Sequence, residues 1–257
     1  MASIENQIAL ITGASSGIGA ACAKAFAEAG AKLILAARRL ERLEQLAAEL
    51  RGMGSQVLVL EMDVCDRPTV KSTLQSLPDP WNQIDILVNN AGLSRGLDPL
   101  QDGSIQDWEE MIDTNIKGLL YVTRFVVPAM VSRRRGHVVN IGSVAGHQVY
   151  PKGNVYCATK AAVRSLSEGL KIDLLGTPVR VSSVDPGMVE TEFSEVRFRG
   201  DAERAGKVYQ NVQPLTAADI ADVVLFCVTR PAHVNLSEIL VMPVDQATPT
   251  IVHRRET

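Results

Sequence analysis

The sequence predicts an α/β fold in which a parallel sheet is covered by helices on both faces. Its 257 residues, of which 46% are hydrophobic and 21% charged, are enough to bury one sizeable core. Seven short runs rich in apolar and β-branched residues are mostly continuous rather than alternating, as in strands that are buried on both faces. Stretches with helical spacing separate these runs, and this alternation is typical of a parallel sheet.

The predicted elements follow one another along the chain. Strands are expected at Gln7–Ile11, Lys32–Ala36, Gln56–Glu61, Ile84–Val88, His137–Ile141, Val179–Val184 and Glu238–Val241. The clearest helical spacing lies at Ala20–Ala29, Leu40–Leu50, Ile105–Val131, Val155–Leu175 and Ala217–Cys227. Together they predict about seven parallel strands in a Rossmann-type, doubly wound arrangement.

No linker or internal repeat divides the chain, so residues 1–257 are predicted to form a single domain. Its least regular stretch, residues 187–213, follows the sixth strand and mixes proline, glycine and charged residues with Phe193 and Phe198, which look exposed. A long insertion at the carboxyl end of a strand often forms a lid. We therefore refer to residues 187–213 as the lid segment.

Composition and charge exclude several classes of function. A net charge of -3 gives no footprint for nucleic acid, and the basic run Arg133–Arg135 fits the end of a helix that Gly136 closes. Four widely spaced cysteines predict neither a zinc site nor disulfides. The uncharged apolar stretches are far shorter than the roughly 20 residues that cross a bilayer, so no membrane partner is expected. Because no leader pattern is seen, a cytoplasmic location is expected.

A glycine-rich loop follows the first predicted strand and precedes an alanine-rich helix. It reads Thr12-Gly13-Ala14-Ser15-Ser16-Gly17-Ile18-Gly19. Glycines here permit a tight turn and let backbone N–H groups approach a pyrophosphate at the positive end of the helix. Gly13, Ser15, Ser16, Gly17, Ile18 and Gly19 are therefore predicted to bind a dinucleotide, although glycine in such a turn also has a purely geometric use.

Further motifs recur in a fixed order after this loop. They are Asn89-Asn90-Ala91-Gly92 after the fourth strand, Asn115, Ser143 after the fifth strand, Tyr156-Cys157-Ala158-Thr159-Lys160 on a helix, and Pro186-Gly187 after the sixth strand. With the T-G-x-x-x-G-x-G loop, this order resembles the short-chain dehydrogenase/reductase family over nearly the whole chain. The resemblance implies an oxidoreductase acting on CH–OH groups, assembled as a homotetramer or homodimer.

The end of the second strand predicts the choice of cofactor. Sites for NAD place an acid there to bind the ribose hydroxyls, whereas this chain reads Ala36-Ala37-Arg38-Arg39. Guanidinium groups hold a phosphate dianion by charge-assisted hydrogen bonds, so NADP(H) is favoured over NAD(H). Arg38 is the first candidate, with Arg39 and Ser15 in support; the alternative is that both arginines are solvated residues that open the next helix.

The family resemblance implies further cofactor contacts. It places Asp63 and Val64 beside the adenine, and Thr191 near the nicotinamide amide. The other positions it marks along the cofactor are Asn89, Ala91, Gly92, Pro186, Gly187 and Val189.

Tyr156 and Lys160 are four residues apart, which on a helix places them on one face. A phenol has a pKa of about 10, and an adjacent ammonium together with oxidised nicotinamide favours the phenolate. Tyr156 is therefore predicted to be the general acid in reduction and the general base in oxidation, with Ser143 holding the substrate oxygen. Lys160 would also bind the nicotinamide ribose, and Asn115 resembles the family residue that holds a water in the proton relay.

Three segments narrow the substrate. Gly153–Tyr156, Thr191–Phe198 and Pro231–Asn235 resemble the NADP-dependent 3-hydroxy acid dehydrogenase branch of the family, which acts on serine, allo-threonine or semialdehydes. A small carboxylate substrate needs a cation, and the loop candidates are Arg95, Lys152 and Arg197. No metal is expected, because the proposed polarising groups are a hydroxyl and a phenol.

Alternative functions stay open at this point. A hydrophobic ketone would use Phe193, Phe198, Val149 and Tyr150, and a sulfonated aldehyde is another carbonyl substrate to consider. His147, expected on the pocket rim, and His137, at a strand start, are more often structural than catalytic. The chain could also be a non-catalytic NADP(H)-binding regulator or a structural oligomer subunit, since this fold permits both.

Overall fold

A computed structural model describes residues 2–256 and contains one parallel seven-stranded sheet. The strands are β1 (Ile8–Thr12), β2 (Lys32–Ala37), β3 (Val57–Glu61), β4 (Ile86–Asn89), β5 (His137–Ile141), β6 (Arg180–Pro186) and β7 (Glu238–Val241). They lie in the order β3-β2-β1-β4-β5-β6-β7. The predicted α/β, doubly wound Rossmann-type fold is confirmed.

Nine helices connect or flank these strands within the described part of the chain. They are α1 (Gly17–Glu28), α2 (Leu40–Gly52), α3 (Arg67–Gln75), α4 (Ile105–Ile112), α5 (Leu119–Ser132), α6 (Asn154–Asp173), α7 (Phe193–Arg197), α8 (Ala202–Tyr209) and α9 (Ala217–Val228). The helical spacing over Ile105–Val131 corresponds to a helical run that a π turn over Asp113–Gly118 divides into α4 and α5. The lid segment contains α7 and α8.

The hydrophobic core forms one layer on each face of the sheet. Alternating side chains of β1 point to opposite layers: Ala9 and Ile11 pack with α1, α2 and α9, whereas Ile8 and Leu10 pack with α3 and α5. This burial on both faces explains why the strands read as continuous apolar runs.

The basic run has a local partner, as its position after α5 suggests. Arg133 and Arg135 lie 3.2 and 3.1 Å from one carboxylate oxygen of Asp85.

None of the helices between residues 2 and 256 combines the length and apolar composition that a bilayer crossing requires.

Candidate active site

A cleft of about 750 Å³ opens at the carboxyl edge of the sheet. It lies where the chain order reverses between β1 and β4, which is the usual ligand site of open α/β sheets. The loops after β1 to β6 line it, together with the lid segment. All of the predicted catalytic and cofactor residues line this cleft except Gly19, Asn89 and Asn115.

The glycine loop is packed too closely to accept side chains. Gly13 has a φ of 65°, and a Cβ atom there would lie 2.9 Å from the Cα of Ala91. A Cβ on Gly19 would lie 2.5 Å from the carbonyl oxygen of Gly13, so Gly19 shapes the loop without lining the cleft. The N-cap residue of α1, Ser16, makes no side-chain capping bond. The N-terminal N–H groups of α1 are therefore left for a ligand, as in anion sites of this kind.

Asn89 does not face the cleft, which differs from the predicted cofactor contact. Its buried amide donates to Thr123 at 3.0 Å and to Asn140 at 2.9 Å, so it ties β4 to β5 and α5. Asn90 lines the cleft instead and donates to the carbonyl oxygens of Thr12 and Gly13. The alternation of side chains along a strand explains why adjacent asparagines have different surroundings.

Two arginines at the end of β2 line the cleft in different ways. Arg38 is largely exposed and lies 3.8 Å from Asp63. Arg39 donates to Ser15 at 3.1 Å and to Ser16 at 2.6 Å. Glu192 of the lid segment, which no sequence motif indicated, accepts from Arg39 at 3.0 Å and from Arg42 at 2.5 Å.

Tyr156 and Lys160 lie on one face of α6, as predicted. The Lys160 Nζ atom is 6.0 Å from the centre of the Tyr156 ring and donates to the carbonyl oxygen of Ile141 at 2.8 Å. Ser143 follows β5, accepts from the N–H of Ala145 at 3.1 Å and lines the same cleft. Three chemically active side chains from two elements thus converge on one cavity.

Burial changes the ionisation of both α6 side chains. It lowers the pKa of Lys160 from 10.5 to about 8, an effect that the carboxylate of Asp185 opposes. It raises the pKa of Tyr156 above the ordinary value of 10, while the cation of Arg197 and the hydroxyl of Ser143 lower it in part. The expected lowering of the Tyr156 pKa by Lys160 is therefore not seen in the chain alone, and the nearer cation to the ring is Arg197, at 5.2 Å.

Asn115 lies in the π turn and is buried beside the cleft rather than in its wall. Its amide donates to the carbonyl oxygen of Leu93 at 2.8 Å and to Thr159 at 3.0 Å, and its oxygen accepts from the N–H of Leu93 at 2.8 Å. The side chain therefore holds the loop after β4 against α6. π turns are often found at functional sites.

The structure separates the three cations considered for a carboxylate. Arg95 is 2.6 Å from Glu110 and lies outside the large cleft, and Lys152 is exposed, also outside it. Arg197 lines the cleft beside Tyr156. Of the residues considered for a hydrophobic ketone, Phe193 and Tyr150 line the cleft, whereas Phe198, which looks exposed in the sequence, is buried and Val149 is 66% exposed.

The two histidines considered for acid–base roles are engaged elsewhere. His137 is buried, its Nε2 atom lies 2.8 Å from Ser182, and burial lowers its pKa to about 3. His147 does not line the cleft: its two nitrogens lie 2.7 Å from Asp185 and 3.3 Å from Glu238. The ligand atoms of these three residues lie within 4.8 Å of one another, but the hydrogen bond between His147 and Asp185 and the ion pair of Glu238 with Arg164 account for this cluster. The expectation of no metal stays a prediction.

The C-terminal tail contributes to the cleft, which no motif indicated. Pro249, Thr250, Val252 and Arg254 line it. Gln246, which precedes these residues, accepts from the N–H of Met188 at 2.8 Å. Contacts between segments so far apart in sequence are set by the fold and have no local signature.

Comparisons with known proteins agree with this geometry. A family model described as short chain dehydrogenase matches residues 7–201. The NADP-dependent 3-hydroxy acid dehydrogenase YdfG of Salmonella typhi is 51% identical over 249 residues, covering 96% of this chain and 99% of that protein. The NADP-dependent 3-hydroxy acid dehydrogenase of Schizosaccharomyces pombe is 43% identical over 258 residues, covering 100% of both chains.

Solved structures show the same similarity. The closed form of serine dehydrogenase complexed with NADP+ is 48% identical, with a TM-score of 0.92 and coverage of 97% of this chain and 100% of that chain. Serine dehydrogenase from Escherichia coli is 44% identical, with a TM-score of 0.81 and coverage of 94% and 100%.

Proposed function

Because the chain belongs to the short-chain dehydrogenase family, we propose that it transfers a hydride between NADP(H) and a small 3-hydroxy acid or the corresponding semialdehyde. The observation that carries this proposal is the convergence of Ser143, Tyr156 and Lys160 on a cleft that begins at the glycine loop. The names of the relatives support both the cofactor and the substrate class.

The residues present fit NADP(H). Gly13 and Gly19 let the loop pack closely against the loop after β4 and against the start of α1, and the N-terminus of α1 favours the negative charge of a pyrophosphate. Arg38 and Arg39 supply guanidinium groups for a 2′-phosphate at the end of β2. Thr191 lines the cleft over the loop, 3.4 Å from the position of a Cβ atom on Gly17, and we assign it to the contact near the nicotinamide amide that the family resemblance implies.

When bound, NADP(H) supplies or accepts the hydride, and the side chains of this protein handle the proton. In oxidation, the Ser143 hydroxyl orients the substrate hydroxyl, and the Tyr156 phenolate takes the proton of that hydroxyl. The hydride leaves the carbon that bears it. In reduction, the Tyr156 phenol returns the proton to the carbonyl oxygen. Such positioned acid–base chemistry is typically worth about 10²- to 10⁴-fold in rate.

Lys160 and Asn115 act behind Tyr156 in this scheme. The ammonium of Lys160 favours the phenolate and is placed to bind the nicotinamide ribose, while the positive charge of oxidised nicotinamide lowers the pKa of Tyr156 further. The side-chain amide of Asn115 is engaged at both ends, so we assign the relay water to its main chain rather than to its side chain. The positive charges of Lys160 and nicotinamide together offset the increase in the Tyr156 pKa that burial causes only when the cofactor is bound.

The remaining proposals concern assembly and alternatives. We propose a homotetramer or homodimer in the cytoplasm, as the family resemblance implies. Phe193 and Tyr150 in the cleft wall keep a bulkier hydrophobic ketone as the second candidate substrate.

A cofactor-coupled assay tests the function. NADPH oxidation is measured with malonic semialdehyde, and NADP+ reduction with L-serine, L-allo-threonine and 3-hydroxypropionate, each repeated with NAD(H). We expect activity with the acids and a preference for NADP(H). Tight NADPH binding without turnover of any carbonyl would instead indicate a non-catalytic regulator, and turnover of ketones alone would favour the second candidate.

A further inference from the structure

We infer that Arg197, in α7 of the lid segment, binds the carboxylate of the substrate and so selects 3-hydroxy acids over neutral alcohols. The inference rests on the proposed function and assigns a residue to its substrate specificity. The Cζ atom of the Arg197 guanidinium is 5.2 Å from the centre of the Tyr156 ring. A cation is thus fixed beside the proposed acid–base residue.

The charge of Arg197 has no acidic partner within residues 2–256. Its Nε donates to the buried Ser94 hydroxyl at 2.9 Å, and its Nη2 donates to the Tyr150 hydroxyl at 2.7 Å. Both acceptors are neutral, and they use two of the five N–H groups of the guanidinium. The Nη1 atom is left for an anion that enters the cleft.

Aromatic rings hold this cation in place. The Cζ atom lies 5.5 Å from the centre of the Phe193 ring and 5.9 Å from that of Tyr150, in addition to its contact with Tyr156. Rings at these distances attract a cation, and the two hydroxyl bonds limit its rotamers. A guanidinium held in advance loses little entropy when a carboxylate binds, which favours recognition by charge-assisted hydrogen bonds.

The length of the substrate fits this placement. In a 3-hydroxy acid, two carbon–carbon bonds separate the carboxylate carbon from the carbon that bears the hydroxyl. A carboxylate on Arg197 therefore keeps the reacting carbon near Tyr156. The other lid arginines are unsuitable, because Arg199 is bound to Asp107 and Arg204 stacks on Phe198 outside the cleft.

The test compares an acid with its neutral counterpart. kcat/KM is measured with NADP+ for 3-hydroxypropionate and its methyl ester, which share the reacting carbon but differ in charge. If the ester is not turned over, the ratio is taken from inhibition constants of propionate and propionamide. Arg197→Gln should reduce the preference for the acid by about 10- to 100-fold, since each lost charged hydrogen bond is costly. Arg197→Lys should retain part of it.

Arg204→Gln is the matched control, because it removes another lid arginine that stacks on a ring but does not line the cleft. It should leave the preference unchanged. NADPH binding and thermal unfolding of each variant verify that the fold is intact.

The outcomes distinguish substrate selection by Arg197 from a supporting role of this residue and from failure of the proposed function. A wild-type protein that uses the acid, with an Arg197→Gln variant that loses activity equally on acid and ester, overturns the inference and limits Arg197 to supporting Tyr156 or the lid. An unchanged preference overturns it as well. A wild-type protein that oxidises no 3-hydroxy acid contradicts the proposed function itself.

Discussion

At the scale of single residues, burial is the main influence on the charge of Lys160. Below pH 8 its ammonium is charged in both the native and the unfolded state, so the cost of burying the charge is present in full. A pKa of about 8 in place of 10.5 corresponds to roughly 3 kcal/mol. Between pH 8 and 10.5 the native state loses its proton first, and this cost disappears.

Lys160→Met should therefore be more stable than the wild-type protein at pH 7. We expect about 2 kcal/mol, because the lost hydrogen bond to Ile141 offsets part of the gain. Urea unfolding of the cofactor-free proteins at pH 7 and pH 10 measures the difference, which should shrink at the higher pH. A difference independent of pH would mean that the pKa of Lys160 is the same in the native and the unfolded state, so that burial imposes no cost on its charge.

The second prediction at this scale concerns Arg38. Its loose contact with Asp63 leaves it free to turn onto a 2′-phosphate. Arg38→Asp should lower the ratio of kcat/KM for NADPH to that for NADH by about 10- to 100-fold, through loss of a charged hydrogen bond and added repulsion. Arg42→Gln is the control, since Arg42 binds Glu192 and does not line the cleft. An unchanged ratio in Arg38→Asp would assign the phosphate to Arg39 instead.

At the scale of elements, the glycine loop and α1 depend on close approach. A Cβ atom on Gly19 would meet the carbonyl oxygen of Gly13 at 2.5 Å, and because that oxygen belongs to the backbone it cannot easily move away. Gly19→Ala should displace α1 from the loop, lower the melting temperature and weaken NADPH binding. Gly52→Ala, at the end of α2 with open space around it, should change stability by less than about 0.5 kcal/mol. Equal effects of the two substitutions would show that Gly19 has no packing role.

The strands were predictable because burial on both faces leaves a continuous apolar run, and their ends agree within two residues. α3 was missed because it is mostly polar and buries only Val70 and Leu74. The π turn was missed because apolar spacing continues through it. A contact between distant segments lies at its end, where a side chain on Gly118 would lie 2.6 Å from Val64.

At the scale of the whole molecule, exposed apolar side chains support the proposed assembly. Ile105 of α4, Leu120 of α5 and Ile172 of α6 are exposed in the single chain, and a second copy of the chain packed on these helices would remove them from water. Light scattering should give two or four times the chain mass of 27.8 kDa. Ile172→Glu should lower that mass if α6 is in the interface. A monomer at assay concentration would contradict the proposed assembly.

The site itself was predictable where a short motif carries chemistry, as at Tyr156 and Lys160. The parts that were missed belong to the folded whole. Glu192 reaches two arginines about 150 residues earlier in the chain, and the C-terminal tail lines the cleft without any local pattern. Such contacts depend on how loops meet at one edge of the sheet, which residue spacing does not encode.

The most direct test of the central claim is Tyr156→Phe, which removes one oxygen atom and leaves the ring packed against Phe193. Turnover of 3-hydroxypropionate with NADP+ is measured beside NADPH binding by fluorescence. The proposed proton transfer predicts a fall in kcat of at least about 10²-fold with unchanged NADPH affinity. Near-normal turnover in this variant would show that another group exchanges the proton.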